Sequence, residues 1–99
     1  MFGDHFDAVV AIGLMFLLRP EAQEEVIRRV GRALKAGGRF LFTAPKEAYP
    51  PWVDDLTGRE CFALGSEAYR AILASAGLSV MSEYVDEGEN HYFDALKVP

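Results

Sequence analysis

Cysteine is almost missing from this chain: Cys61 is the single one in 99 residues. No disulfide framework can form with one thiol, and no thiol-rich metal site can be built. Cys61 reads as an ordinary loop or core residue, because a catalytic thiol needs an activating partner beside it. Histidine is nearly as scarce. His5 and His91 are the only two, far apart in sequence. No metal constellation follows from them, and no Ser-His-Asp arrangement can be nominated from spacing. Positive charge is also short: 10 Lys and Arg stand against 15 Asp and Glu, a formal net charge of −5. That argues against a nucleic-acid partner, which needs a basic surface. Arg28, Arg29 and Arg32 cluster only on a predicted solvated helix face. No apolar run reaches the roughly 20 residues that cross a bilayer, so no membrane partner is expected. No basic stretch introduces a signal peptide, and the expected location is cytoplasmic. The glycines stand at 3, 13, 31, 37, 38, 58, 65, 77 and 88, so no G-x-G-x-G phosphate turn exists.

What is present organises itself around FDAVVAIGLMFLL, Phe6 to Leu18. After Asp4 and Asp7 it runs apolar from Ala8 to Leu18. Such a run predicts a strand buried on both faces, as in a parallel sheet. Pro20 opens a helix expected to reach Ala36, since proline lacks an N–H that would be orphaned there. Glu21, Glu24 and Glu25 suit its positive end, and Arg32 and Lys35 its negative end. Ala22, Val26, Ile27, Val30 and Leu34 make one apolar stripe, and Gly37-Gly38 is expected to stop the helix. Arg39 to Ala44 follows as a second strand, giving a right-handed parallel βαβ unit.

Pro45 to Gly65 reads as a long irregular loop carrying Tyr49, Trp52 and Phe62, with a short helical turn near Trp52 to Leu56. Ser66 is the expected N-cap of a second helix running to Ala76, which Gly77 ends. Leu78 to Asp86 and Tyr92 to Val98 read as a hairpin closed by Glu87-Gly88-Glu89-Asn90, whose Gly and Asn accept positive φ. The expected fold class is α/β, in the order β-α-β-loop-α-β-β. It has two or three parallel strands plus a C-terminal antiparallel hairpin strand, all in a single domain, 1–99.

Three pieces of this order resemble the C-terminal half of a class I S-adenosylmethionine-dependent methyltransferase of the type 11/12 kind. FDAVVAIGLMFLL looks like the fourth strand of that Rossmann-like fold. LKAGGRFLFTAP is similar to its L-[KR]-P-G-G strand-five signature, with Ala36 where proline is usual. SEAYRAILASAGLSV, followed by a hairpin closing on ENHYFDALKV, looks like its last helix and last two strands. The glycine turn after the first strand and the acidic residue that holds the cofactor ribose are missing from the pattern. The resemblance therefore implies strands four to seven without one to three: a truncated methyltransferase, inactive alone, whose complete fold takes S-adenosyl-L-methionine and a small-molecule methyl acceptor.

The same resemblance places Ile12, Gly13 and Leu14 against the methionine part of the cofactor. The acceptor site would take Phe16, Tyr49, Trp52 and Phe62, with Asn90, His91 and Tyr92 from the hairpin tip. No catalytic residue is assigned. Methyl transfer often needs no base, because positioning supplies most of the effect; His91 is the one group there able to act as a base near neutral pH. His5 is expected to be a solvated terminal residue. The first strand would keep an unpaired edge, so self-association through it is expected. Two other classes compete. One is a non-catalytic α/β interaction module pairing through that edge. The other is a nucleotide-binding reductase half, against which the missing phosphate turn counts.

Overall fold

The computed structural model describes residues 6–88 and 90–98; Asp4, His5 and Glu89 lie outside the described residues. The elements in order are β1 (Phe6–Ala11), a 3-10 turn (Met15–Leu17), α1 (Pro20–Ala33), β2 (Leu34–Thr43), β3 (Tyr49–Val53), β4 (Glu60–Ala63), α2 (Ser66–Ser75), β5 (Leu78–Val85) and β6 (His91–Lys97). Four strands form one sheet in the order β1-β2-β6-β5, and β3 pairs with β4 separately. β1 runs parallel to β2, and β6 is antiparallel to both β2 and β5. The expected mixed α/β sheet is therefore present. β6 slots between β2 and β5, which run in the same direction without touching.

Alternation along the strands explains the layers. Phe40 and Phe42 on β2 and Phe93 and Ala95 on β6 are fully buried on one face. They meet Ile27 and Val30 of α1, Tyr69 and Leu73 of α2, and Met15 of the 3-10 turn. Phe42 stacks on Phe93 at 4.9 Å, and the Tyr69 ring stands edge-on to both. The opposite face is uncovered among the described residues. This corrects the reading of the first strand as buried on both sides. It is also shorter, ending at Ala11. Val9 packs on the core, but Val10 is 60% exposed. On the uncovered face Val10 lies opposite Leu41, and Arg39 pairs with Asp94 at 2.7 Å.

Several boundaries moved for physical reasons. α1 ends at Ala33, not Ala36. Leu34 turns extended and buried, and pairs with Phe6. Five residues later the pairing resumes at Arg39 with Ala8, the excursion turning at Gly37, whose φ is +84°. The long loop is not irregular. Tyr49–Val53 and Glu60–Ala63 make a hairpin, which puts Trp52 in a strand; the turn lies beyond it, closed by the Gly58 N–H on the Asp54 carbonyl at 2.8 Å. Pro50 and Pro51 are accommodated because the register slips between Tyr49 and Trp52; prolines have no N–H to give a ladder. The Asp54 carboxylate closes the turn, accepting from the Thr57 N–H and hydroxyl.

Ser66 is not the N-cap of α2. Gly65 holds that place with φ +93°, and no side chain caps the helix. A Cβ there would sit 2.9 Å from the Ala48 nitrogen, so only glycine fits. The last hairpin also closes differently from expectation. Gly88 has no left-handed backbone. Instead the Asp86 carboxylate accepts from the Gly88 and Asn90 N–H groups at 2.9 Å each. The Asn90 N–H, then the Tyr92 hydroxyl and the Asn90 amide, hold the Asp86 carboxyl below the usual range.

Candidate functional site

The carboxyl ends of β1, β2 and β5 meet at one edge of the sheet, where β6 begins. Open α/β sheets gather ligands at such an edge. A cleft of about 460 Å³ lies there, lined by Phe16, Thr43, Ala44, Pro45, Lys46, Glu47, Tyr49, Trp52, Val85, Asn90 and His91. Its aromatic wall comes from two elements. Phe16, on the 3-10 turn, lies 6.4 Å from Trp52 with planes 18° apart. Tyr49 stands edge-on to Trp52 at 6.2 Å. Mostly apolar walls with a few polar groups are the usual lining of a small-molecule pocket.

Of the residues singled out from sequence, Phe16, Tyr49, Trp52, Asn90 and His91 come together in this cleft. Phe62 does not line it. Its ring is buried and lies under the Arg19 guanidinium, 5.6 Å from the ring centre. Tyr92 faces the other side of the sheet, stacked on Tyr84 at 4.9 Å. Its hydroxyl donates to Asp86, a bond that raises the Tyr92 pKa above the ordinary phenol value. Ile12 and Leu14 are exposed beside the cleft. Between them, Gly13 has nothing within 4 Å of where a Cβ would stand. Its N–H is already committed to the Thr43 hydroxyl at 2.7 Å. The stretch is thus an open, fixed ledge that could accept one side of a bound cofactor. Cys61 is buried, its thiol pointing at the Arg59 carbonyl.

Two residues that sequence reasoning passed over hold the site. Gln23 is fully buried. Its amide nitrogen donates to the Leu18 carbonyl at 2.8 Å and the Phe62 carbonyl at 3.1 Å. Its oxygen accepts from the Tyr69 hydroxyl at 2.6 Å. Burial pushes the Tyr69 phenol above its ordinary pKa. Gln23 therefore ties the 3-10 turn bearing Phe16 and the hairpin bearing Trp52 to both helices. The signal was its place four residues before Ile27, on the apolar face of α1. The second is Glu83. Its side chain is 13% exposed. It accepts from the Ser66 hydroxyl, the Arg70 guanidinium and His91 Nε2, the last at 2.7 Å. Burial alone would raise this carboxyl. The bonds from His91, Ser66 and Arg70, with the Arg70 charge, instead hold it below the usual range.

Among the described residues, no group of three or more His, Cys, Asp and Glu could hold a metal ion. No helix of the described residues is long and apolar enough to cross a membrane.

No protein-family model and no curated protein matches the chain. Solved structures do match it. It is similar to a Burkholderia thailandensis 1,6-didemethyltoxoflavin N1-methyltransferase holding its substrate and S-adenosylhomocysteine, with TM-score 0.74, 17% identity, and coverage of 100% of this chain and 47% of that one. It is similar to an O-methyltransferase family 2 protein of Planctomyces limnophilus in complex with apigenin, with TM-score 0.73, 20% identity, and coverage of 93% and 30%. It is also similar to magnesium protoporphyrin IX methyltransferase from Synechocystis with bound S-adenosylmethionine, with TM-score 0.68, 15% identity, and coverage of 97% and 41%. This chain thus has the fold of part of a methyltransferase and spans less than half the length of each of these three.

Proposed function

We propose that residues 1–99 form the C-terminal part of an S-adenosylmethionine-dependent methyltransferase that acts on a small molecule. The observation that supports this most is the cleft at the strand ends, walled by Phe16 and Trp52, in a fold shared with methyltransferases. The cofactor, when bound, supplies an electrophilic methyl group on a sulfonium. This chain's residues would do the positioning. The ledge Ile12-Gly13-Leu14 would receive the methionine part, and the Thr43 hydroxyl keeps that ledge still through the Gly13 N–H. Phe16, Tyr49 and Trp52 would hold a flat acceptor, with Asn90 and His91 at its polar end. Excluding water and orienting the nucleophile supply most of what methyl transfer requires.

The ribose and adenine contacts would come from a preceding segment or second polypeptide that adds a parallel strand along β1 and covers the bare face. Without it the chain binds no cofactor, has no activity, and associates with itself through β1. The test is a chimera in which this chain replaces the matching segment of the Burkholderia enzyme. Folding is checked by circular dichroism, and S-adenosylhomocysteine binding by calorimetry. A folded chimera that releases no heat refutes the reading, as does tight binding by the isolated chain.

One observation favours a second reading, a non-catalytic module that pairs through an edge. The β1 edge, unpaired among the described residues, carries exposed Phe6 and Val10. That reading requires an intact partner complex in which the cleft stays empty on addition of cofactor.

A further inference from the structure

The polar end of the cleft is a built device rather than a lone histidine. Glu83 lies on β5 and His91 at the start of β6, and a register shift between Val80 and Ser82 turns Glu83 to the same side as His91. Ser66 bonds both oxygens of the Glu83 carboxylate, at 2.9 and 3.0 Å, and Arg70 holds one of them. The carboxylate cannot swing. The ring of His91 is held in turn, edge-on to Phe93 at 5.0 Å. An ionised carboxylate only accepts hydrogen bonds. His91 Nε2 must therefore carry the hydrogen in the bond to Glu83, and in the neutral ring Nδ1 is a bare acceptor. That atom is buried and has no hydrogen-bond partner among the described residues. The His91 side chain is only 10% exposed, yet the residue lines the cleft. A buried polar atom without a partner costs stability, and such atoms are rare in folded proteins.

We propose that Glu83 is a positioning residue that fixes His91 as the Nε2–H tautomer, and that His91 Nδ1 accepts a hydrogen bond from an O–H or N–H of the molecule held against Phe16 and Trp52. This rests on the cleft being the acceptor site. It narrows the acceptor to aromatic molecules bearing a hydroxyl or N–H at the atom that meets the histidine. It also assigns Ser66 and Arg70 to holding Glu83.

The test uses the 99-residue chain and nitrogen-15 NMR of its histidine rings, with His5→Asn to assign His91. The wild type is expected to show the Nε2–H tautomer. Glu83→Gln, whose amide can donate as well as accept, is expected to show both. The binding probes are 2-naphthol and 2-methoxynaphthalene, which share a ring system and differ in the hydroxyl hydrogen. 2-Naphthol is expected to shift His91 Nδ1 and the Trp52 indole resonance, and to bind about threefold to tenfold more tightly than the ether. His91→Phe is expected to abolish that preference. An Nδ1–H tautomer in the wild type overturns the proposal. So does an unchanged tautomer in folded Glu83→Gln, or equal binding of the two probes. S-adenosylhomocysteine plays no part in these readings, so a chimera that fails to bind cofactor is a separate result.

Discussion

Replacing Gln23 with leucine should cost this fold more than any change of similar size on its surface. The side chains are close in volume, so packing changes little. The loss is polar. The Leu18 and Phe62 carbonyls lose their donor, and the Tyr69 hydroxyl loses its acceptor. A stranded buried group costs about 1–3 kcal/mol. The Phe62 carbonyl and the Tyr69 hydroxyl, whose bonds to Gln23 are buried, sum to about 2 kcal/mol at the low end of that range, and the part-buried Leu18 carbonyl adds less. For a domain of this length each kcal/mol lowers Tm by about 4–8 °C, so a fall of about 8 °C or more is expected by calorimetry. Urea unfolding should show a lower midpoint at an unchanged slope. Tyr69→Phe removes the donor to Gln23 and the acceptor of the long Leu64 N–H bond at 3.4 Å, and should cost about 1 kcal/mol. The double variant decides the sign of the coupling. Once Gln23 is gone the Tyr69 hydroxyl has lost its acceptor and keeps only the long bond from the Leu64 N–H, so removing it should cost less than in the wild type. Emission from Trp52, the only tryptophan, should shift red as the hairpin loosens. A Gln23→Leu protein within about 1 kcal/mol of wild type would refute the network's role.

Other consequences are as concrete. A Cβ on Gly31 would lie 2.5 Å from the Ala76 carbonyl oxygen, so Gly31→Ala should push α1 from α2 and cost about 1–3 kcal/mol in urea unfolding; a neutral result would refute close packing of the helices at this point. The Glu83 carboxyl is lowered in the folded state. Its contribution is therefore present above the ordinary glutamate value of about 4.3 and is lost as pH falls through its lower folded value. The urea midpoint should drop across this acid range in the wild type and less in Glu83→Gln; parallel curves would show that Glu83 is not the group responsible. Val10→Lys, on the exposed edge, should change stability by no more than about 0.5 kcal/mol while shifting elution toward the monomer in size-exclusion chromatography. Unchanged elution would remove β1 as the association surface.

Local chemistry made much of this fold legible. Pro20 and Glu21 mark the start of α1. The alternation of Phe40 and Phe42 marks β2, and Gly77 the end of α2. The cleft was legible in part: aromatic residues after β2 and a histidine at the hairpin tip do meet there. What went unread depended on partners distant in sequence. Gln23 appears as one polar residue on an apolar stripe until Phe62 and Tyr69 arrive beside it. Glu83 appears solvated because its face is set by a register shift, which leaves no trace in an alternating pattern. Pro50 and Pro51 argue against a strand until the register slip that admits them is visible.

The sequence by itself determined the two helices and the strands β1, β2, β5 and β6 to within a few residues, and that β1, β2 and β5 point the same way, because periodicity and turn chemistry act over a few residues; the β3–β4 hairpin was not among them. Only the tertiary structure decided that Val10 faces outward, that Phe62 and Tyr92 leave the cleft, and that Glu83 grips His91. Burial and hydrogen-bond partnership are properties of what lies opposite a side chain, and neighbours along the chain do not set what lies opposite.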